Sequence, residues 1–276
     1  MTRERRSDVI CPSRVCYLLC VRVAVLASGS GGNACVVESG KTRVLVDAGL
    51  SAKEIEKRLA SRGIGAETIR AIFITHEHGD HSIGALTFAA RFGCSLFATA
   101  GTADALGLEG NLFSPFVRME SCREGRIGEI GFRPLGTPHD SNESVAYAFE
   151  ADDARVVIAS DLGHVQRQFL DFLRGATTLL LEFNHDGDML RDGPYVWPLK
   201  QRITGGWGHL SNRQSADAVR TTAGERLRRV VATHLSRANN TPALALAALA
   251  SALELAESGA AYGAAEQDDG YETFDA

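Results

Sequence analysis

Short apolar runs separated by polar breaks punctuate this chain, and their two periodicities define its elements. Runs rich in valine, isoleucine and leucine predict strands near 21–27, 34–38, 43–47, 71–75, 95–99, 130–135, 145–150, 155–159, 178–183 and 229–233. Helical spacing of apolar positions predicts helices over 51–61, 82–92, 102–107, 165–174, 194–203, 211–223 and 242–257. Ser51 with Glu54, and Ser211 with Gln214, read as capping boxes, while Thr241 caps a helix with Pro242 at its first position. Strands come first, then strands and helices alternate, with no repeat or internal linker. The pattern therefore predicts one domain over 21–257. Residues 1–20 are expected to be a poorly ordered extension. The small, acidic stretch 258–276, with Glu266, Asp268, Asp269, Glu272 and Asp275 and no basic residue, is expected to be a disordered tail.

Composition narrows the class. The 276 residues are 45% hydrophobic and 23% charged, as in an ordinary globular protein able to bury a sizeable core. A formal net charge of -5 argues against a generic nucleic-acid coat and leaves room for a local basic groove. No run approaches the ~20 apolar residues of a membrane helix. Arg3, Arg5 and Arg6 before an apolar patch imitate a signal peptide, but Pro12, Ser13, Arg14 and Arg22 interrupt it. Six cysteines form no C-x-x-C pair, and three of them lie in the extension, so a reduced, cytoplasmic protein is expected.

The chemistry concentrates in Thr75-His76-Glu77-His78-Gly79-Asp80-His81, directly after the apolar run Ala71-Ile72-Phe73-Ile74. Three of the chain's eight histidines and a carboxylate thus share one tight loop at a strand end. Imidazole and carboxylate are ligands that zinc, manganese and iron accept. Further candidates also follow predicted strands: His139 after 130–135, Asp161 after 155–159 and His234 after 229–233. Each alone is weak evidence, since a lone histidine at a strand end is more often structural. Loops at one sheet edge converge, however, so strand-end ligands can meet around two ions.

This series, H-x-H-x-D-H followed by a histidine, an aspartate and a histidine at growing intervals, resembles the metallo-β-lactamase superfamily over about 21–257. The resemblance implies an α/β (α+β) fold, the αββα four-layer sandwich, and two divalent metal ions, zinc or manganese, with iron also acceptable. By position, His76, His78 and His139 would hold one ion. Asp80, His81 and His234 would hold the second, and Asp161 would bridge them. Asp80 would also count among the catalytic residues. Asp47, in Leu45-Val46-Asp47-Ala48-Gly49, would orient a ligand imidazole from behind; it reads equally as a turn former before Gly49. Two ions ~3.5–4 Å apart bring the pKa of a shared water toward ~7 and so yield a hydroxide nucleophile for in-line attack on phosphorus.

Substrate class rests on the remaining motifs. Ser28-Gly29-Ser30-Gly31-Gly32-Asn33 is a candidate anion nest, with Ser30, Gly31, Gly32 and Asn33 as phosphate-binding residues; its alternative is a flexible hairpin loop. With Leu181-Glu182-Phe183-Asn184-His185-Asp186, Gly193-Pro194-Tyr195, Gly208-His209-Leu210-Ser211-Asn212 and His234-Leu235-Ser236, it is similar to the bacterial YycJ/WalJ-type group. That group implies a DNA exonuclease or a cyclic phosphodiesterase. His209 and His185 are candidate proton donors for the leaving alkoxide, His209 ahead because Ser211 caps the following helix; both read equally as loop-capping residues. Between Phe183 and Arg237 nine basic residues face five acidic ones, and Arg202 and Arg213 are candidate phosphate contacts. The interval from Asp161 to His234 is too short for the inserted domain of β-CASP nucleases. The expected partner is therefore nucleic acid, DNA ahead of RNA, or else a small phosphodiester, with no membrane. The alternatives are a small-molecule (cyclic) phosphodiesterase or a non-catalytic binding or regulatory protein.

Overall fold

Strands whose side chains alternate between two apolar environments need a cover on each face. The computed structural model, which describes residues 21–110 and 114–276, meets that need with four layers; the expected 1–20 extension lies outside the described residues. One sheet contains β1 (Arg22–Ala27), β2 (Ala34–Ser39), β3 (Thr42–Val46), β4 (Ile69–Phe73), β5 (Ser95–Thr99) and β6 (Phe116–Met119). The other contains β7 (Gly125–Ile127), β8 (Ile130–Gly136), β9 (Val145–Ala151), β10 (Ala154–Ala159), β11 (Thr178–Glu182), β12 (Arg229–Thr233) and β13 (Ala261–Ala264). The last strand, β14 (Tyr271–Asp275), returns to the first sheet beside β1.

In β1, Val23 and Val25 face the inter-sheet core, and Ala24 and Leu26 face the outer helices. The inter-sheet core is aromatic at its centre. Phe73 stacks on Phe97 with ring centroids 4.6 Å apart and meets Phe149 edge-on at 5.2 Å, favourable geometries worth about 0.5–1.5 kcal/mol per pair. Helices α1 (Ala52–Ser61), α3 (Ala85–Phe92) and α4 (Ala100–Leu106) bury Ile55, Leu59, Phe88 and Ala103 on the first sheet. Helices α5 (Arg167–Leu173), α8 (Asn212–Thr222) and α9 (Pro242–Leu255) bury Phe169, Phe172, Val219 and Leu249 on the second. Three short helices, α2 (Gly79–Ser82), α6 (Gly187–Asp192) and α7 (Trp197–Thr204), lie in loops near the strand ends. The αββα expectation is met. Among the described residues no helix is long and apolar enough to cross a membrane.

Several expected boundaries shift for visible reasons. The helix expected over 82–92 is broken at Gly84, whose N–H donates to the Ala48 carbonyl and where a Cβ would lie 2.0 Å from the Leu50 carbonyl oxygen. The capping box at Ser211 and Gln214 is complete. At Ser51 only half forms, because Glu54 turns to Arg58 instead. The largest correction concerns 258–276, which is a pair of edge strands and not a disordered tail. β13 runs parallel to β12 and β14 antiparallel to β1. Phe274 enters the inter-sheet core, and the missing basic partners come from elsewhere in the chain, Arg237 pairing with Asp268 and Arg229 lying over the Phe274 ring.

Candidate metal centre

The parallel strands β3 and β4 of one sheet, and β10, β11 and β12 of the other, end at a common edge of the sandwich. Asp47 follows β3, the His76–His81 loop follows β4, Asp161 follows β10, and His234 follows β12 directly. Asp47, Asp161 and His234 all have positive φ, 59°, 59° and 54°. That region disfavours residues with a Cβ, and such strain persists where surrounding structure holds it, commonly at functional sites. Here the hold is visible. Asp47 N–H donates to the Phe73 carbonyl, His234 N–H donates to Ser28 Oγ, and Gly49 lies so close to the His loop that a Cβ would fall 1.6 Å from the Asp80 carbonyl oxygen.

The side chains converge. His76, His78 and His139 form one group whose ring nitrogens lie within 4.8 Å of one another, and Asp80, His81 and His234 form a second. Asp161 joins His76 and His81 in one further group, and His139 and His209 in another, so it stands between the two. One ring nitrogen of several imidazoles is tied to the protein. Asp47 Oδ2 lies 2.7 Å from His81 Nδ1, Thr75 Oγ1 lies 3.0 Å from His76 Nδ1, and the Gly208 carbonyl lies 3.2 Å from His139 Nδ1. The other nitrogen then faces the cluster: His76 Nε2 and His139 Nε2 lie 3.1 and 3.3 Å from His78 Nδ1.

Electrostatics separates these rings. Burial holds His76 well below the usual imidazole range and also lowers His139. Burial opposes the charge on His81 and His234 as well, yet the Asp161 carboxylate overrides it, raising His81 well above that range and His234 to about 10. Asp161 is held far below the usual carboxylate range despite burial, by His234 and His81. Two buried atoms at this centre, Asp161 Oδ2 and His234 Nε2, have no hydrogen-bond partner among the described residues. Converging nitrogens with anchored far sides, a carboxylate between them and orphaned buried polar atoms form a ligand set that fits divalent cations.

The other expected residues divide. His209 lies in the cluster, 3.6 Å from Asp161 Oδ1. His185 is buried outside every metal-capable group of the described residues, and its carbonyl holds Asn212 N–H at 2.8 Å. The Gly-rich loop does not offer a free nest. Gly29, Gly31, Gly32 and Asn33 give their N–H groups to Asn33 Oδ1, Gln267 Oε1, the Gly29 carbonyl and the Asp80 carbonyl. Only Ser30 of this set lines the cleft beside His209, with Arg202. Arg213 lines a different depression, between α8 and α9. Four of the nine basic residues of this segment pair with acids: Arg191 with Asp188 and Asp192, Arg202 with Asp140, Arg220 with Asp217, and Arg237 with Asp268.

Two participants were not anticipated. Glu182, at the end of β11 and 0% exposed, places Oε1 2.7 Å from His209 Nδ1 and accepts Leu162 N–H on Oε2. Its sequence signals were a charged residue closing the otherwise apolar run of Thr178–Glu182 and its place in the motif Leu181-Glu182-Phe183-Asn184-His185-Asp186, neither of which assigned it a role. Asp140 lies 3.3 Å from His139 Nε2 and also bonds Arg202; adjacency to His139 was the signal there.

Residues 42–235 match the family profile described as the beta-lactamase superfamily domain. The chain belongs to that superfamily. Within it, the chain is of the YycJ/WalJ type. It is 37% identical over 242 residues to a Streptococcus pneumoniae protein named exodeoxyribonuclease WalJ, spanning 86% of this chain and 90% of that one. To the Bacillus anthracis protein named exodeoxyribonuclease YycJ it is 32% identical over 233 residues, 84% of this chain and 88% of the relative. Among solved structures, the metallo-β-lactamase fold protein YhfI of Bacillus subtilis superposes with a TM-score of 0.72 at 18% identity, over 94% of this chain and 100% of that one. Zinc-bound PqqB of Methylobacterium extorquens superposes with a TM-score of 0.70 at 18% identity, over 92% and 100%. At such identities these structures speak to the superfamily fold alone.

Proposed function

We propose that this superfamily member is a metal-dependent phosphodiesterase acting as a DNA exonuclease, with two divalent cations per chain. The reading is carried by the convergence of His76, His78 and His139 with Asp80, His81 and His234 on either side of Asp161, in a chain whose curated relatives are named exodeoxyribonucleases. Bound there, two divalent cations supply an activated water and neutralise charge on a phosphodiester.

The chain's own residues do the rest. Asp47 fixes His81 and the Gly208 carbonyl fixes His139, so each presents its Nε2 inward. Glu182 anchors His209 at Nδ1, leaving Nε2 to carry a proton at the cleft. Burial opposes that proton, but the Glu182 carboxylate outweighs it and raises the His209 pKa, favouring the charged ring. A charged imidazole there donates to the leaving oxygen, a contribution of ~10²–10⁴-fold in rate. Arg202, held by Asp140 through Nε, keeps its two terminal nitrogens for a phosphate. His185, away from the cluster, is left with the role of holding α8.

A second reading, hydrolysis of a small cyclic or nucleotide phosphodiester, is favoured by the ion pairs of Arg191, Arg202 and Arg220, which reduce the positive charge free to hold a long phosphate backbone. Metal-reconstituted protein assayed on labelled duplex DNA, single strands and bis-p-nitrophenyl phosphate tests both. Release of nucleotides from DNA ends, lost on chelation and restored by zinc, manganese or iron, is the expected result. Turnover of the small diester alone would favour the second reading.

A further inference from the structure

One wall of the cleft beside His209 is built by a helix that adds nothing to the core. No residue of α7 is fully buried. Yet Leu199 and Ile203, one turn apart, are half-buried and line the cleft with Tyr195 and Arg202. The remaining lining is polar, from Ser30, Asn184, Ser236 and His209 with the Gly208 backbone, and from Asp140, whose carboxylate is engaged by Arg202. A cleft with an apolar, aromatic side and a polar side suits a nucleobase, whose faces stack and whose edges hydrogen-bond.

Tyr195 is also held in place. Lys200 Nζ donates to the carbonyls of Arg191 at 2.6 Å and Gly193 at 2.8 Å, stapling the loop that carries the ring. At Gly193 a Cβ would come within 2.5 Å of the Met189 carbonyl oxygen, so the loop lies tight against α6. The Tyr195 hydroxyl makes no hydrogen bond among the described residues, and the ring belongs to none of the three hydrophobic cores. Preorganised aromatic faces of this kind lose little on ligand binding.

We infer that Tyr195, Leu199 and Ile203 form a subsite for the unpaired base of a terminal DNA nucleotide, its phosphate lying toward Arg202 and His209. This rests on the nuclease reading above and adds to it a requirement for the substrate's end. A base can stack in the cleft only after it leaves its partner, so a frayed or single-stranded terminus enters where a paired internal base does not.

The test compares Tyr195→Ala and Tyr195→Phe with the parental metal-loaded protein on DNA ends carrying either an intact or an abasic terminal nucleotide. Removing the ring should raise KM for intact ends by ~5–150-fold, the range of a single base–aromatic stack, with a smaller change in kcat. Tyr195→Phe, which keeps the ring, should stay near the parental KM and controls for folding. On abasic ends the parental protein should already show the raised KM, and Tyr195→Ala should add nothing. Equal losses on intact and abasic ends, or no loss at all, would overturn the subsite while leaving the nuclease reading in place. If the parental protein hydrolyses bis-p-nitrophenyl phosphate and releases nothing from DNA, the nuclease reading fails and the subsite fails with it.

Discussion

Glu182 and His209 form a buried acid–imidazole pair, Oε1 to Nδ1 at 2.7 Å, from two elements far apart in sequence. Glu182 is wholly buried, while His209 keeps a 20% exposed side chain at the cleft. Burial should raise a lone glutamic acid, but the His209 charge holds this one below its ordinary value, and Glu182 in turn raises His209, so each favours the charged form of the other. Such an arrangement fixes the tautomer and aims the free ring nitrogen.

His209→Ala should therefore slow hydrolysis of a diester with a poor alkoxide leaving group by ~10²–10⁴-fold, the value of a general acid. A p-nitrophenyl ester, whose leaving group needs no proton, should be far less affected, and two metal ions should remain. Glu182→Gln keeps the shape but not the charge, and should cost about 10–100-fold on the poor leaving group, as changes to residues that orient a site imidazole do. Equal losses on both esters for either variant, or loss of metal, would assign the pair to ligand binding instead.

Asp161 stands between the two groups of imidazoles, with one buried oxygen lacking any hydrogen-bond partner among the described residues. The intact protein should take up two divalent ions per chain, and Asp161→Ala should bind fewer and lose most activity. Elemental analysis after saturation and gel filtration measures both. One ion or fewer in the parental protein would rule out the dinuclear centre, and an active, fully loaded Asp161→Ala would rule out its role.

Metal uptake should release protons. Without metal, His234 is raised to about 10 and His81 lies well above the usual range, against burial and through Asp161. Both therefore hold protons at pH 7, and a cation must displace them to gain a neutral ring nitrogen. Apparent affinity should rise as pH increases from 7 toward 10. Calorimetric titration of zinc into chelator-treated protein, in buffers of different ionisation enthalpy, counts the protons. A heat independent of buffer would mean that the rings are already neutral.

The sequence made the metal candidates legible because each lies at a strand end or in one short loop, where position along the chain predicts position in space. The same logic led to the sandwich, since apolar runs such as 21–27 and 178–183 mark strands buried on both faces. Glu182 was hidden because it closes an apolar strand, and nothing local says that a carboxylate there will meet His209, 27 residues on. The tail misled for a similar reason. Its acids lack basic neighbours in sequence, but Arg237 and Arg229 reach it across the fold. The Gly-rich loop has the composition of a nest, yet Gln267 from that tail occupies it. Long-range partners decide such cases.

Gln267 clamps the loop from both sides, accepting Gly31 N–H at 2.6 Å and donating to the Gly32 carbonyl at 2.8 Å. The loop in turn places Ser28 Oγ on His234 N–H and Asn33 Nδ2 3.0 Å from His81 Nε2. Gln267→Ala should destabilise the protein by about 1–3 kcal/mol, given ~0.5–1.5 kcal/mol per net hydrogen bond. Urea unfolding measures it; a change within error would mean the loop is held by its other neighbours.

Arg202 and Arg213 should part company in their effect on DNA. Arg202 lines the cleft beside His209, while Arg213 lines a depression between α8 and α9. Removing one cation from a duplex phosphate lowers the slope of log affinity against log salt by about one unit. Arg202→Ala should thus weaken binding and flatten that slope by about one unit, whereas Arg213→Ala should keep the parental slope. Asp140→Asn, which loosens the Arg202 side chain without removing its charge, should weaken binding with the slope nearly intact. Fluorescence anisotropy across a salt series, with calcium in place of the catalytic ions to prevent hydrolysis, separates these outcomes. A flattened slope for Arg213→Ala, with no change for Arg202→Ala, would move the DNA path to the α8–α9 side and away from the cleft.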